Sequence, residues 1–166
     1  MTPTPSTALQ VRRVDYRDPT DAAALLQLLE LYAQDPMGGS TPLNEDTKQR
    51  LCADLAQLPH ASSFIAWQGD EPVGLANCFE AYSTFKARPL LNIHDLAVHP
   101  AHRGRGVGQT LLAAIAEHAQ KRGCCKLTLE VLSGNAAALA SYQRFGFAGY
   151  QLGATAGQAV FLQKWL

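Results

Sequence analysis

The stretch "HPAHRGRGVGQTLLAAIAEHA", residues 99–119, alternates arginine and glycine directly ahead of a strongly helical run. Glycines at 104, 106 and 108 leave backbone N–H groups unshielded by any Cβ and permit positive φ. A helix starting there adds N–H groups without intrahelical partners and the positive end of its dipole. Arg103 and Arg105 put formal charge at the rim. Donors spread over consecutive residues suit two linked phosphates better than one, so the stretch reads as a pyrophosphate cradle. Its spacing is neither G-x-G-x-x-G nor G-x-x-x-x-G-K-[ST]. An RGG-type RNA-binding tract would repeat, whereas this one occurs once. A plain surface turn is the competing reading. Upstream, "NIHDLAV" sets His94 and Asp95 side by side, two groups suited to proton exchange. On a regular strand they would face opposite ways unless a bulge intervenes.

These residues need elements to hold them. "LQVRRV" reads as a short strand, and "RDPTDAAALLQLLELYAQD" as a helix whose start is marked by Asp18 and Thr20 around Pro19. After "PMGGSTP" comes a second helix, "NEDTKQRLCADLAQL", with Leu51, Leu55 and Leu58 on one side. "SSFIAWQ" and "VGLANCFEAY" are strands joined by the hairpin signal "GDEP". A linker, "STFKARP", leads to the apolar strand "LLNIHDLAVHP", which Pro100 ends.

The glycine turn then opens a helix reaching about Arg122, with Val107, Leu111, Leu112, Ile115 and Ala119 as its inner stripe and Gly123 beyond its end. "KLTLEVL" alternates as a strand. "SGNAAALASYQRFGF" is a short helix capped by Ser133 or Asn135 and closed by Gly146 with Phe147. Two closing strands are expected, "FAGYQL" and "AVFLQKWL". The order β-α-α-β-β-β-α-β-α-β-β implies an α/β fold, a single domain with a mixed, mainly antiparallel sheet flanked by helices. Residues 1–8 are expected to be a flexible tail ahead of one domain over 9–166.

A chain of 166 residues with 47% hydrophobic content can build a real core. Its 14 basic and 14 acidic residues balance, so no global field recruits nucleic acid or an anionic membrane. No apolar run is long enough to span a bilayer, and "MTPTPSTALQ" lacks the pattern of a signal peptide. Cys52, Cys78, Cys124 and Cys125 show no metal-ligand spacing and read as reduced, small buried hydrophobes. A cytoplasmic protein without a metal is the expectation.

"RGRGVG" fits the Arg/Gln-x-x-Gly-x-Gly/Ala signature of the GNAT superfamily, the acyl-CoA-dependent N-acetyltransferases. "LAVHPAHRG" and "NAAALASYQRFGF" also resemble that family, in the expected order, and the element order matches its fold over nearly the whole chain. The resemblance implies that backbone amides of Arg103, Gly104, Arg105, Gly106, Val107 and Gly108 bind the pyrophosphate of acetyl-CoA. It implies a bulge in "IHDLAV" that splays this strand from "KLTLEVL". The pantetheine arm would lie in the gap, bonded by the backbone of Leu96, Ala97 and Val98, with an N–H near Ala97 as oxyanion donor.

Acetyl transfer from a thioester requires an amine that loses a proton, an oxyanion donor and a proton for the leaving thiolate. Asn135 and Tyr142 stand two helical turns apart and share a face of the last helix. By resemblance Asn135 contacts the pantetheine region and Tyr142 is the general acid; the plain alternatives are a helix cap and a core aromatic. For the base, His94 has the side chain suited to neutral pH. Asp95 would bind the substrate ammonium or hold a turn, while Glu80 and a water chain are further options. His99 and His102 are expected at the rim of the turn.

The acceptor is expected to be a small-molecule primary amine, met by the loops "YAQDPMGGSTPLNED" and "AYSTFKARP". Asp35, Glu45 and Asp46 there would attract a cation, or form a solvated acidic loop. The Gly38–Gly39 pair would permit a mobile lid, or a simple connection. A protein or peptide acceptor, and a non-catalytic acyl-CoA-binding sensor or structural protein, are the alternatives. The apolar end of "AVFLQKWL" would form an edge suited to homodimerisation.

Overall fold

Two hairpins, one connection through a pair of helices and one parallel crossover build the sheet that carries the glycine turn. The computed structural model describes residues 8–166, so all of the expected tail but Ala8 lies outside the described residues. These residues form two compact units, the first ending at Leu129 and the second spanning Glu130–Leu166. In the first, β1 (Leu9–Arg13), α1 (Pro19–Gln34) and α2 (Glu45–Leu55) precede β2 (Ala61–Gln68), β3 (Glu71–Ser83) and β4 (Arg88–Val98). Then come α3 (Val107–Lys121) and β5 (Leu127–Leu129). The strands stand in the order β1-β2-β3-β4-β5. Every pairing is antiparallel except β4 with β5, which is parallel, as the crossover through α3 requires. The expected mainly antiparallel α/β fold is what forms.

Local chemistry accounts for most boundaries. Asp18 caps α1, its carboxylate accepting from the N–H groups of Thr20 and Asp21 at 2.9 Å, and Asn44 caps α2 through Thr47 N at 2.7 Å. Gly69, at φ +62°, turns the hairpin between β2 and β3. "STFKARP", expected as a linker, closes a second hairpin in which Ser83 pairs with Arg88. Leu58 falls past the end of α2 and is 38% exposed, so the expected stripe is reduced to Leu51 and Leu55.

One face of the sheet is covered by α1 and α2, where Leu25, Leu28 and Leu55 meet Ile65, Trp67 and Leu75. Each fully buried leucine contributes about 1.5–3 kcal/mol. The other face carries α3, buried through the expected residues Val107, Leu111, Leu112, Ile115 and Ala119. Gly74 of β3 lets that helix approach, since a Cβ there would lie 2.8 Å from Val107 Cγ1 and 3.0 Å from Leu111 Cδ1.

The second unit holds α4 (Ala136–Phe145), capped by Asn135 and ended by Gly146 at φ +108°. The closing strands "FAGYQL" and "AVFLQKWL" do not form as expected: that region contains one isolated bridge, Gln151–Gln158. β-Prone apolar residues make a strand only against a ladder partner and a buried face. Here Phe161, Leu162 and Trp165 remain 72%, 83% and 87% exposed. "KLTLEVL" likewise supplies only three strand residues, Leu127–Leu129.

Candidate active site

The glycine turn sits between β4 and α3, as the sequence requires. Gly104 and Gly106 adopt left-handed φ of +73° and +82°, and a Cβ at either would meet no atom within 4 Å. Glycine is needed there for backbone conformation, and the space beside it is open. Gly106 is the N-cap of α3 and provides no side-chain cap, so the first N–H groups of a fifteen-residue helix face outward uncapped. Open space, an uncapped helix start and the exposed side chains of Arg103 and Arg105 fit a diphosphate. The turn is anchored by His102, which is only 8% exposed, with Nε2 3.3 Å from Glu71 Oε1. It is therefore a packed residue rather than the expected rim residue. His99 accepts from Ala101 N at 3.2 Å.

The strand leading into the turn contains the bulge that the resemblance implied. Asn77 of β3 opposes Asp95, but the next β3 residue, Cys78, opposes Ile93, which leaves His94 as the extra residue. The parallel ladder to β5 ends at Ile93–Leu129, the last pair before the bulge. β4 continues through Leu96, Ala97 and Val98 with β3 alone, among the described residues, as its ladder neighbour. The backbone along that edge is thus presented as a strand edge presents it.

The bulge also settles which way His94 and Asp95 face. Asp95 lies on the Asn77 side of the sheet, bonded by Asn77 Nδ2 to Oδ2 at 3.0 Å. The exposed His94 ring packs edge-on against Phe79, two residues from Asn77 on the same face, at 5.6 Å. Both side chains therefore share one face, that of α1 and α2. Glu80 lies on the opposite face and binds Arg122 Nε at 2.9 Å, which removes it from the candidates for the base.

Residues that the sequence did not single out complete this face. Ser63 of β2 donates to Asn77 Oδ1 at 2.6 Å, and Tyr16 OH lies 2.9 Å from Ser63 Oγ. At the end of α1, burial, and then the charges of Asp95 and Asp35, push the Tyr32 hydroxyl above its ordinary range. Asp35 accepts from Arg103 at 2.8 Å, and that bond is the main reason its carboxyl is held below the usual range. Arg103 also donates through Nε to Val98 O at 3.2 Å. Leu28, Leu31, Tyr32, Ala97, Val98 and Arg103 line a narrow cleft along the edge of β4. Glu45 and Asp46 are engaged instead on α2, with Lys48 and Arg50.

In the second unit, Asn135 Oδ1 accepts from Ala138 N at 3.2 Å, the cap role of the two expected. Half-buried Tyr142 packs edge-on against Phe147 at 5.9 Å. Among the described residues no cluster of three or more His, Cys, Asp or Glu is arranged to hold a metal ion. Nor is any helix among them long and apolar enough to cross a membrane.

A family model described as the acetyltransferase (GNAT) family matches residues 25–147. The chain is 32% identical over 124 residues to a thialysine N-epsilon-acetyltransferase of Caenorhabditis elegans, covering 75% of each. It is 44% identical over 68 residues to a streptothricin acetyltransferase of Streptomyces lavendulae, covering 41% of this chain and 35% of that protein. The match therefore spans only about a third of the streptothricin protein. The fold superposes on an aminoglycoside N-acetyltransferase crystallised with CoA, with a TM-score of 0.72, 20% identity and 99% of each chain covered.

Proposed function

The chain belongs to the acetyltransferase (GNAT) family, and on that premise we propose that it moves an acetyl group from acetyl-CoA to the primary amine of a small molecule, by direct attack in a ternary complex. The observation that carries this reading is the uncapped start of α3, opened by left-handed Gly104 and Gly106 at the end of a strand whose edge lacks a ladder partner. Backbone amides from Arg103 to Gly108 hold the diphosphate, and those of Leu96, Ala97 and Val98 hold the pantetheine arm as an added strand would be held. The relatives named for thialysine and streptothricin act on small amines, which favours that acceptor class over a protein.

Asp95 binds the acceptor as an ammonium, and His94, on the same face, takes the proton that makes it a nucleophile. The amine nitrogen bonds to the acetyl carbonyl carbon, the N–H of Ala97 stabilises the oxyanion, and the carbon–sulfur bond then breaks. Tyr142 supplies the proton for the departing sulfur and recovers one from the second proton that the amine nitrogen sheds after attack, while Asn135 contacts the pantetheine region. The products are an amide and CoA.

Isothermal titration with acetyl-CoA, followed by a thiol-release assay over a panel of small amines, tests this reading. Binding lost in Gly106→Glu, and turnover lowered about a hundredfold in Tyr142→Phe at unchanged acetyl-CoA affinity, are the expected results. A folded protein that binds no acetyl-CoA contradicts the whole reading. Binding without transfer to any amine leaves an acyl-CoA-binding protein and contradicts the enzyme.

A further inference from the structure

We infer that Asn77 is a positioning residue for Asp95, and that the row Tyr16–Ser63–Asn77 fixes which carboxylate oxygen meets the acceptor amine. This inference rests on the reading that Asp95 binds that amine.

The row follows from strand register. Ser63, Asn77 and Asp95 are directly opposed on β2, β3 and β4, so their side chains stand side by side on one face. Only the bulge at His94 breaks the alternation that would otherwise put Asp95 and Ile93 on one face.

The bonds can run one way only. A carboxylate solely accepts, so the Asn77 amide must turn Nδ2 toward Asp95 Oδ2, at 3.0 Å, and Oδ1 toward Ser63. Ser63 must then spend its proton on Asn77 Oδ1, at 2.6 Å, and accept from the Tyr16 hydroxyl at 2.9 Å. Ser63 and Asn77 are 1% and 4% exposed, so water does not offer an alternative set of partners. Asp95 Oδ2 is held in place by this chain, and among the described residues Oδ1 has no hydrogen-bond partner. That oxygen is the one presented to the amine.

An amide accepts at one end and donates at the other without passing a proton along. The row therefore orients Asp95 and does not carry protons away from it. A buried polar row could also serve the fold alone, and the two roles separate in a double-mutant cycle.

The test uses the full chain and an amine that the unaltered protein acetylates. Asn77→Ala should lower kcat/KM about tenfold, chiefly through amine KM, with acetyl-CoA affinity within about twofold of the original. In the Asp95→Asn background, where the charge is already gone, the same change should alter kcat/KM less than about twofold. Ser63→Ala, the milder probe should Asn77→Ala fold poorly, should give a smaller loss that vanishes in the same background. Equal losses in both backgrounds, or losses that track a fall in acetyl-CoA affinity, overturn the inference and leave a structural row. If the unaltered protein acetylates no amine, the proposed function fails and takes this inference with it.

Discussion

Cys78 shows how one residue reports on its surroundings. It lies at the bulge, opposite Ile93, fully covered beneath α3 on the face away from Asp95. Burial, assisted by the charge of Asp95, pushes its thiol from 9.0 up to about 12. The fold thus favours the neutral thiol. The resulting stability is complete below pH 9 and is lost as pH rises toward 12. Between those limits the loss is on the order of 1.4 kcal/mol per pH unit. Urea unfolding at pH 8 and pH 10.5 should therefore show a steeper decline for the unaltered protein than for Cys78→Ala. An identical decline in both would mean that Cys78 is not desolvated as described. In native protein at pH 8, Cys78 should also resist alkylation until urea unfolds the chain, which mass spectrometry reads directly.

At the scale of elements, the approach of α3 to β3 decides where the cradle sits. Val107 opens α3 one residue after Gly106, and a Cβ on Gly74 would lie only 2.8 Å from its Cγ1. Gly74→Val should therefore push the first turn of α3 off the sheet, costing about 1–3 kcal/mol by overpacking. It should also weaken acetyl-CoA binding, although residue 74 lies outside the cradle. Thermal melting together with titration checks this; a lowered Tm with unchanged affinity would separate the helix start from the ligand. Helices and caps of this kind are readable in advance, because Asp18, Asn135 and the α3 stripe act through neighbours within a turn or two. The polar row was not readable. Ser63, Asn77 and Asp95 meet through the register of three strands, and the extra residue at His94 reverses which face alternation alone would assign. The two closing strands do not form for the converse reason: their β-prone apolar composition is local, but a ladder partner is not.

For the molecule as a whole, the balance of 14 basic against 14 acidic residues gives no long-range field to concentrate an anionic coenzyme. On the proposed reading, affinity comes from the local donors at the start of α3 and the edge of β4. Binding restricted to the folded state stabilises it by mass action, about 2.7 kcal/mol at a hundred times Kd. For a chain of this size that corresponds to a rise in Tm of roughly 5–11 °C. Acetyl-CoA should produce such a shift, while Gly106→Glu, which forces a side chain onto φ +82° and a negative charge into the cradle, should show almost none. The variant's own melting point without ligand serves as its baseline, so a general loss of stability is not mistaken for loss of binding. Because the donors are backbone groups rather than a field of side-chain charge, the shift should survive an increase in salt from about 0.05 to 0.5 M better than a purely ionic contact would. A shift that disappears in salt would instead make Arg103 and Arg105 the principal anchors, and the glycines a turn that merely presents them.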